Sequence, residues 1–493
     1  MLTKTNYILW RECPKNAWLK VHKPEIYFAN PLSEFEKQII ETGNEVELVA
    51  RELFPLGTLV ESRGEEAVSK TKKLLDQGEA TLFQATLEKD GYFAALDVLK
   101  KEEGGKFSVY EIKATNSIDK KTHYHDLAFQ VNLARLSGLE VESAYLMHLN
   151  PEYVRDGELD KTNLFVIEDV TEEIEEMLPV VREEAVLAKS YVESDKEPAG
   201  YCACIQKGRS GHCTTFKYSN PDIPEYGVHD LARIGLSKRK LTELVDGHVF
   251  RLEDIPEDLD LSDVQQNQLW TYLKDREIIS NDDITEELEK LVFPLYFLDY
   301  ETFPSALPRF DGYSPYQQIP FQYSLHILEG PDAEPVHKDF LYTENTDPSR
   351  AFYESLKSHI GNIGSVIVWH KSFECGRNRE IAERVPESQE FFKDLDNRVY
   401  DLEDIFKKQH YVHKNFKGSS SIKKVLPVLA PELSYKDLEI REGGSAAEAW
   451  DRATRGELEG TEKEGLFHNL REYCKLDTYA MYAIWKKLRE MVY

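Results

Sequence analysis

The chain has 493 residues, too many for one hydrophobic core, and two to four domains are expected. Its hydrophobic fraction of 41% with 11% aromatics is that of folded protein, and 61 basic against 89 acidic residues leave a net charge of −28. That balance excludes a nucleic-acid glove lined throughout with Lys and Arg. It is compatible with a nuclease, because metal-binding carboxylates are themselves negative and a local basic lining can hold phosphates. No apolar run reaches membrane-spanning length, and the start MLTKTNYILWRECPKN lacks a signal-peptide core, so the cytoplasm is the expected compartment.

In chain order, the first 65 residues read as helical, closing on Pro55-Leu56-Gly57. Strands are expected at 81–85 and 92–99, a hairpin turn at Glu102-Glu103-Gly104-Gly105-Lys106 and a returning strand at 107–114. A helix from Asp126 to Leu136 closed by Gly138, a strand from Val141 to Leu149 and an acidic helix over 171–193 follow. Residues 228–277 read as polar helices. The second half predicts strands at 294–300, 319–328 and 365–369, helices near 350–360, 373–384 and 402–408, and a last helix over 466–489. The expected fold class is α/β, in three parts: a domain over 1–220, a helical connector over 221–290 and a second domain over 291–493.

In the first part, Asp97, Glu111 and Lys113 form Asp-x13-Glu-x-Lys on neighbouring strands. Alternation puts Glu111 and Lys113 on one face, and the hairpin can bring Asp97 beside them. Two carboxylates that hold a divalent metal and a lysine that orients water or offsets developing charge are what phosphodiester hydrolysis requires. Gln130, on the following helix, can hydrogen-bond into the same place. This set, with Ala128-Phe129-Gln130, resembles the PD-(D/E)XK nucleases in their RecB-like branch, which includes the CRISPR-adaptation nucleases. The resemblance implies metal-dependent DNA cleavage, with Asp97 and Glu111 as ligands, Lys113 catalytic, Gln130 supporting, and an acid from an early helix, for which Glu47 and then Glu45 are the candidates. No Pro precedes Asp97, a departure from the family's pattern.

Of six cysteines, Cys202, Cys204 and Cys213 cluster, Cys13 stands near the start, and Cys375 and Cys474 read as packing residues. Four soft thiolates suit zinc or an iron–sulfur cluster, and spacing does not choose between them. RecB-like nucleases often hold a 4Fe-4S cluster with one cysteine before the core and three after it, so the resemblance implies that cluster on Cys13, Cys202, Cys204 and Cys213, with zinc as the alternative and His212 as a substitute ligand.

In the last part, Tyr296-Phe297-Leu298-Asp299-Tyr300-Glu301 places two acids on one face of a buried strand. Such charges need a cation or a proton, and a metal pair about 4 Å apart is the usual apparatus of phosphodiester hydrolysis. Further on, Val366-Ile367-Val368-Trp369-His370 runs into a helix carrying Glu374, and Tyr473-Cys474-Lys475-Leu476-Asp477 puts Tyr473 and Asp477 one turn apart. Together these resemble the motifs of DnaQ-like, or DEDD, 3′-5′ exonucleases on a ribonuclease-H-like fold. The resemblance implies Asp299, Glu301, Glu374 and Asp477 as ligands of Mg²⁺ or Mn²⁺ and Tyr473 as the residue that orients water. Glu374 stands where Asp is expected and His370 where Asn is common, which puts activity in doubt more than fold. Asp401 is a nearby substitute acid, read first as a helix cap.

The text around Phe310-Asp311-Gly312-Tyr313-Ser314-Pro315-Tyr316 and Gly418-Ser419-Ser420-Ser421 resembles a bacterial domain-of-unknown-function family that fuses both nuclease modules. On that reading Tyr313, Tyr316 and Phe321 stack on bases, or else belong to the core, and Lys423 and Lys424 meet phosphates. The expectation is a nuclease with two hydrolytic centres and nucleic acid, DNA first, as partner. A binding scaffold with inactive sites and an iron–sulfur redox enzyme are the rivals.

Overall fold

Packing in the computed structural model divides the chain into two units, Met1–Ile223 with Ala306–Gln317, and Pro224–Ser305 with Gln318–Tyr493. Residues 1–440 and 442–493 are described, the side chains of Glu34 and Asp437 excepted. The chain is mixed α/β, and among the described residues no helix is long and apolar enough to cross a membrane. The expected boundaries differ from the observed ones at two places. Of the 221–290 segment, residues 224–290 pack as part of the second unit rather than as a separate connector, and 306–317 packs with the first.

The first unit is built on a seven-stranded sheet. Thr81–Lys89, Tyr92–Lys101 and Phe107–Lys113 form an antiparallel meander. Its first turn is Asp90-Gly91, both with positive φ (52° and 79°), the conformation a two-residue hairpin with right-handed strand twist requires. Val141–Leu149 then runs parallel to Phe107–Lys113, so the chain must cross over, and the helix His123–Leu136 makes that crossing. Phe165–Asp169 closes the far edge, and the two-residue segments Thr58–Leu59 and Leu2–Thr3 pair in parallel at the other end and off the path.

The crossing helix lies against both the sheet and the helix Thr171–Val192, and every residue from Tyr124 to Ala134 except His125 is buried. A helix covered on both faces has no polar stripe, which explains why its first turn, His123 to His125, went unread in the sequence. The strand Phe165–Asp169 also went unread: at the sheet edge it buries little beyond Phe165. The helix Gly64–Asp76, which lies almost wholly beyond the helical stretch expected for the first 65 residues, buries only Ala67 and Thr71.

The second unit carries a five-stranded sheet in the order Val336–Leu341, Gln318–Leu328, Leu295–Pro304, Ser365–Val368, Val399–Asp401. The first three are antiparallel and the last two run parallel to the central strand. Leu295–Pro304 is buried on both faces, and its alternation sorts the side chains. Leu295 and Phe297 pack with Ala480, Met481, Ile484 and Trp485 of the long helix Gly460–Val492, whereas Tyr296, Leu298 and Tyr300 pack with Phe352 and Leu356 of the helix Ser349–His359. The odd-numbered Asp299 and Glu301 therefore face the long helix. The edge strands Val336–Leu341 and Val399–Asp401 and the helix Gly443–Arg455 were not expected from the sequence.

Candidate functional site

In the second unit the central strand supplies Asp299 and Glu301, and one turn of the long helix supplies Tyr473, Cys474 and Asp477. A carboxylate oxygen of Asp299, one of Glu301 and the Cys474 sulfur all lie within 4.8 Å of one another. The Cys474 Sγ stands 3.8 Å from Asp299 Oδ2. Asp477 accepts a 2.6 Å hydrogen bond from the Tyr435 hydroxyl. Burial, and then the charges of Asp477, Glu301 and Glu374, push the Asp299 carboxyl well above the carboxylate range. Burial and Asp477 do the same to Glu301. Asp477 is pushed up to about 7 by burial, with the Tyr435 hydrogen bond and Lys423 working the other way. Tyr473 is buried, and burial with the three acids raises its hydroxyl far above its ordinary value. Three acids thus share a desolvated pocket whose main opposing charge is Lys423, placed 5.9 Å over the Tyr435 ring. Oxygen donors of this kind suit a hard divalent cation.

Glu374 lies in the first turn of the helix Lys371–Arg384, 2% exposed, and burial pushes its carboxyl up to about 8. Its Oε2 is buried and accepts no hydrogen bond. It adds to the field at Asp299 but, like Asp477, stands outside the group of Asp299, Glu301 and Cys474 whose donors lie within 4.8 Å of one another. Asp401 does not serve as a substitute. It accepts the backbone N–H groups of His370 and Lys371 (3.1 Å each) and pairs with Lys407, closing the start of that helix. His370, at φ 94°, is the exposed residue where the chain turns into the helix.

In the first unit Asp97, Glu111, Lys113 and Gln130 do come together. Lys113 Nζ lies 2.6 Å from Glu111 Oε1, and Gln130 Nε2 donates to Glu111 Oε2 at 2.6 Å. Asp97 accepts the Ile112 N–H at 2.9 Å and the Gln84 amide at 3.1 Å. Gln84 sits at φ 52°, where the ladder with Tyr92–Lys101 lacks the Gln84–Asp97 pair although the register is kept on either side, and its amide also reaches Glu47. Of the two early-helix candidates, Glu47 faces this cluster and pairs with Arg51, whereas Glu45 is exposed.

Two further residues were not expected here. Lys4 lies 3.0 Å from Glu111 and 3.5 Å from Asp126, and Asp126 also binds Lys113. Burial alone would raise Glu111, but Lys113 and then Lys4 overrule it and hold the carboxyl far below its ordinary value. Asp97, half-buried and poorly solvated beside Glu111 with less relief, is pushed up to about 8. Only Asp126 left a signal in the sequence: it stands four residues before Gln130, on the same helix face.

The third grouping is Cys13, Cys202, Cys204 and Cys213, whose sulfurs all lie within 4.8 Å of one another, a set that could hold a metal ion. His212 is turned away from a ligand role: its Nε2 lies 3.1 Å from the Lys207 carbonyl and its ring stacks on Phe216. The base-stacking expectation fails for two aromatics. Tyr313 is 1% exposed, and Phe321 is fully buried against Trp450, ring centroids 4.7 Å apart. Tyr316 spends its hydroxyl on the Ala114 carbonyl. Lys423 and Lys424 are exposed, and of the two it is Lys423 whose charge reaches the acid pocket.

Comparison with known proteins touches the same region. Residues 296–421 match the family model described as "Domain of unknown function (DUF2779)", a stretch that contains Asp299, Glu301 and Glu374 and ends before Tyr473 and Asp477. Among curated proteins, the chain is similar to "Uncharacterized protein UU173" of Ureaplasma parvum serovar 3, 27% identical over 266 residues, covering 49% of this chain and 39% of that protein. It is also similar to "Uncharacterized protein MG366 homolog" of Mycoplasma pneumoniae, 28% identical over 224 residues, 41% of this chain and 33% of that protein. "Uncharacterized protein MG366" of Mycoplasma genitalium is 28% identical over 216 residues, 40% of this chain and 32% of the relative. The chain thus spans about a third to two fifths of the length of the curated relatives it matches.

Proposed function

We propose that the chain is a metal-dependent nuclease whose principal hydrolytic centre is the pocket of Asp299, Glu301 and Asp477. The observation that carries this reading is the meeting of three desolvated carboxylates, all held above their ordinary pKa, from a strand and a helix about 180 residues apart in sequence. Asp299, Glu301 and Asp477 would hold Mg²⁺ or Mn²⁺, which when bound supplies Lewis-acid polarisation of a phosphodiester and a more acidic attacking water. Tyr435 fixes the Asp477 carboxylate, Tyr473 presents a protonated hydroxyl to the pocket, and Lys423 offers positive charge to an incoming phosphate. The sheet order, three antiparallel strands followed by two parallel ones, supports a ribonuclease-H-like unit and with it a DEDD-type exonuclease. The meander, crossing helix and parallel strand of the first unit support a PD-(D/E)XK unit with Asp97, Glu111, Lys113 and Gln130 as a second centre.

One observation favours a second reading for that first unit, binding without cleavage. The oxygens of Glu111 are taken by Lys4, Lys113 and Gln130, and those of Asp97 by Gln84 and Ile112. A divalent ion there must displace a lysine. The proposed substrate is nucleic acid, DNA before RNA, and the proposed compartment is the cytoplasm.

The test is a Mg²⁺ and Mn²⁺ titration of the full chain on end-labelled single- and double-stranded DNA and RNA, with Asp299→Ala and Lys113→Ala in parallel. Cleavage lost in Asp299→Ala and kept in Lys113→Ala supports the working pocket with a binding first unit, and loss in both restores two hydrolytic centres. Full activity in Asp299→Ala, or none in the parent chain at any metal concentration, refutes the nuclease.

A further inference from the structure

The four-cysteine group is sized for one ion. The sulfurs of Cys13 and Cys213 stand 3.9 Å apart, those of Cys202 and Cys213 also 3.9 Å, and all four lie within 4.8 Å of one another. A regular tetrahedron with a 3.9 Å edge has its centre about 2.4 Å from each corner, against a zinc–thiolate bond of about 2.3 Å. A four-iron cluster makes a different demand. Each thiolate binds a different iron, so the whole body of the cluster separates the sulfurs, to roughly 6 Å. Sulfurs held within 4.8 Å leave no room for it. We propose that Cys13, Cys202, Cys204 and Cys213 form a mononuclear, tetrahedral zinc site rather than an iron–sulfur site.

The surroundings fit a closed, structural centre. Cys13, Cys202 and Cys204 are each 1% exposed, so a filled tetrahedron offers no open coordination position to a substrate. Asn220 holds Cys202 from both sides: its amide donates to the sulfur at 3.2 Å, and its carbonyl oxygen accepts the Cys202 N–H at 3.0 Å. Asn16 fastens the turn that follows Cys213 by accepting the Thr215 hydroxyl at 2.8 Å and that of Thr214 at 3.2 Å. Cys13 lies between the helices Lys4–Glu12 and Pro14–His22, so the ion ties the chain's first two helices to a loop some 190 residues later. Lys4, on the first of these, is the residue that reaches Glu111, and the zinc thereby also secures that contact.

The assignment rests on sulfur geometry alone and holds whether or not the chain cuts nucleic acid. The test is metal analysis and X-ray absorption on the full chain purified without oxygen. Expected are a colourless protein with one zinc per chain, a single shell of four sulfurs and no metal–metal scattering. Apo protein loaded with Co²⁺ should show the visible bands of a tetrahedral thiolate site, Cys204→Ser should lose the metal, and Cys375→Ser should keep it. A brown protein with four irons per chain, an iron–iron scattering path, or an apo chain that takes up iron and sulfide and holds the cluster against equimolar zinc would overturn the proposal. These readouts on the unsubstituted chain stand even if Cys204→Ser fails to fold.

Discussion

Replacing Asp477 by Asn removes one charge from the acid pocket while leaving an oxygen to accept the Tyr435 hydroxyl. The Asp477 carboxyl sits at about 7 against an ordinary 3.8, chiefly because the protein packed around it removes much of its water although the side chain is only half-buried. Each pK unit is worth about 1.4 kcal/mol, so ionising this group in the folded, metal-free chain costs at most about 4 kcal/mol. The side chain is partly open to solvent, which screens that figure to about 2 kcal/mol. The sign follows from linkage. The native state holds the proton more tightly than the unfolded state, so stability falls as pH rises from about 4 to about 7 and stays low above it. Asp477→Asn escapes this loss. In metal-free buffer near pH 8 it should melt roughly 4 to 8 °C above the parent, at about 2 to 4 °C per kcal/mol for a unit of this size. The gap should close as the pH approaches about 4. Saturating Mg²⁺ should raise the parent's melting temperature and leave the variant's nearly unchanged, with cleavage abolished. A variant less stable than the parent near pH 8 without metal, or a gap that ignores pH, would refute the charge argument.

Lys4→Met leaves Glu111 buried with half of its lysine partners, and breaking such a pair costs about 3 kcal/mol. Glu111 is held below its ordinary pKa, so the loss should be full near neutral pH and shrink below about pH 4, and Glu111→Gln in the same chain should recover part of it, as thermal unfolding would show. Lys423→Ala should weaken binding to a single-stranded oligonucleotide about tenfold at low salt and flatten its salt dependence, while Lys424→Ala serves as the control that changes little. Trp450→Ala removes a fully buried indole that stacks on Phe321 and donates to the Tyr342 carbonyl at 2.6 Å, and should cost about 3 to 5 kcal/mol in denaturant unfolding without a change in m.

Local chemistry alone placed much of the chain. Val141–Leu149, buried on both faces over Leu146–Leu149, was legible as a short apolar run, whereas the periodic second half of Thr171–Val192 read correctly because it has one face to bury and one to show. The acids of the pocket were legible for the same reason: a period of two puts Asp299 beside Glu301, and a helical turn puts Tyr473 beside Asp477. What the amino-acid order could not convey is who stands opposite. Tyr435 and Lys4 enter their sites from elements that carry no pattern pointing there, 42 and 107 residues from the acids they meet, and Gln84 reaches Asp97 from the neighbouring strand, 13 residues away. Likewise the choice between one ion and a cluster at the cysteines depends on a sulfur separation of a few ångströms. Spacing along the chain says which thiols exist, and only the folded backbone says how far apart they are held.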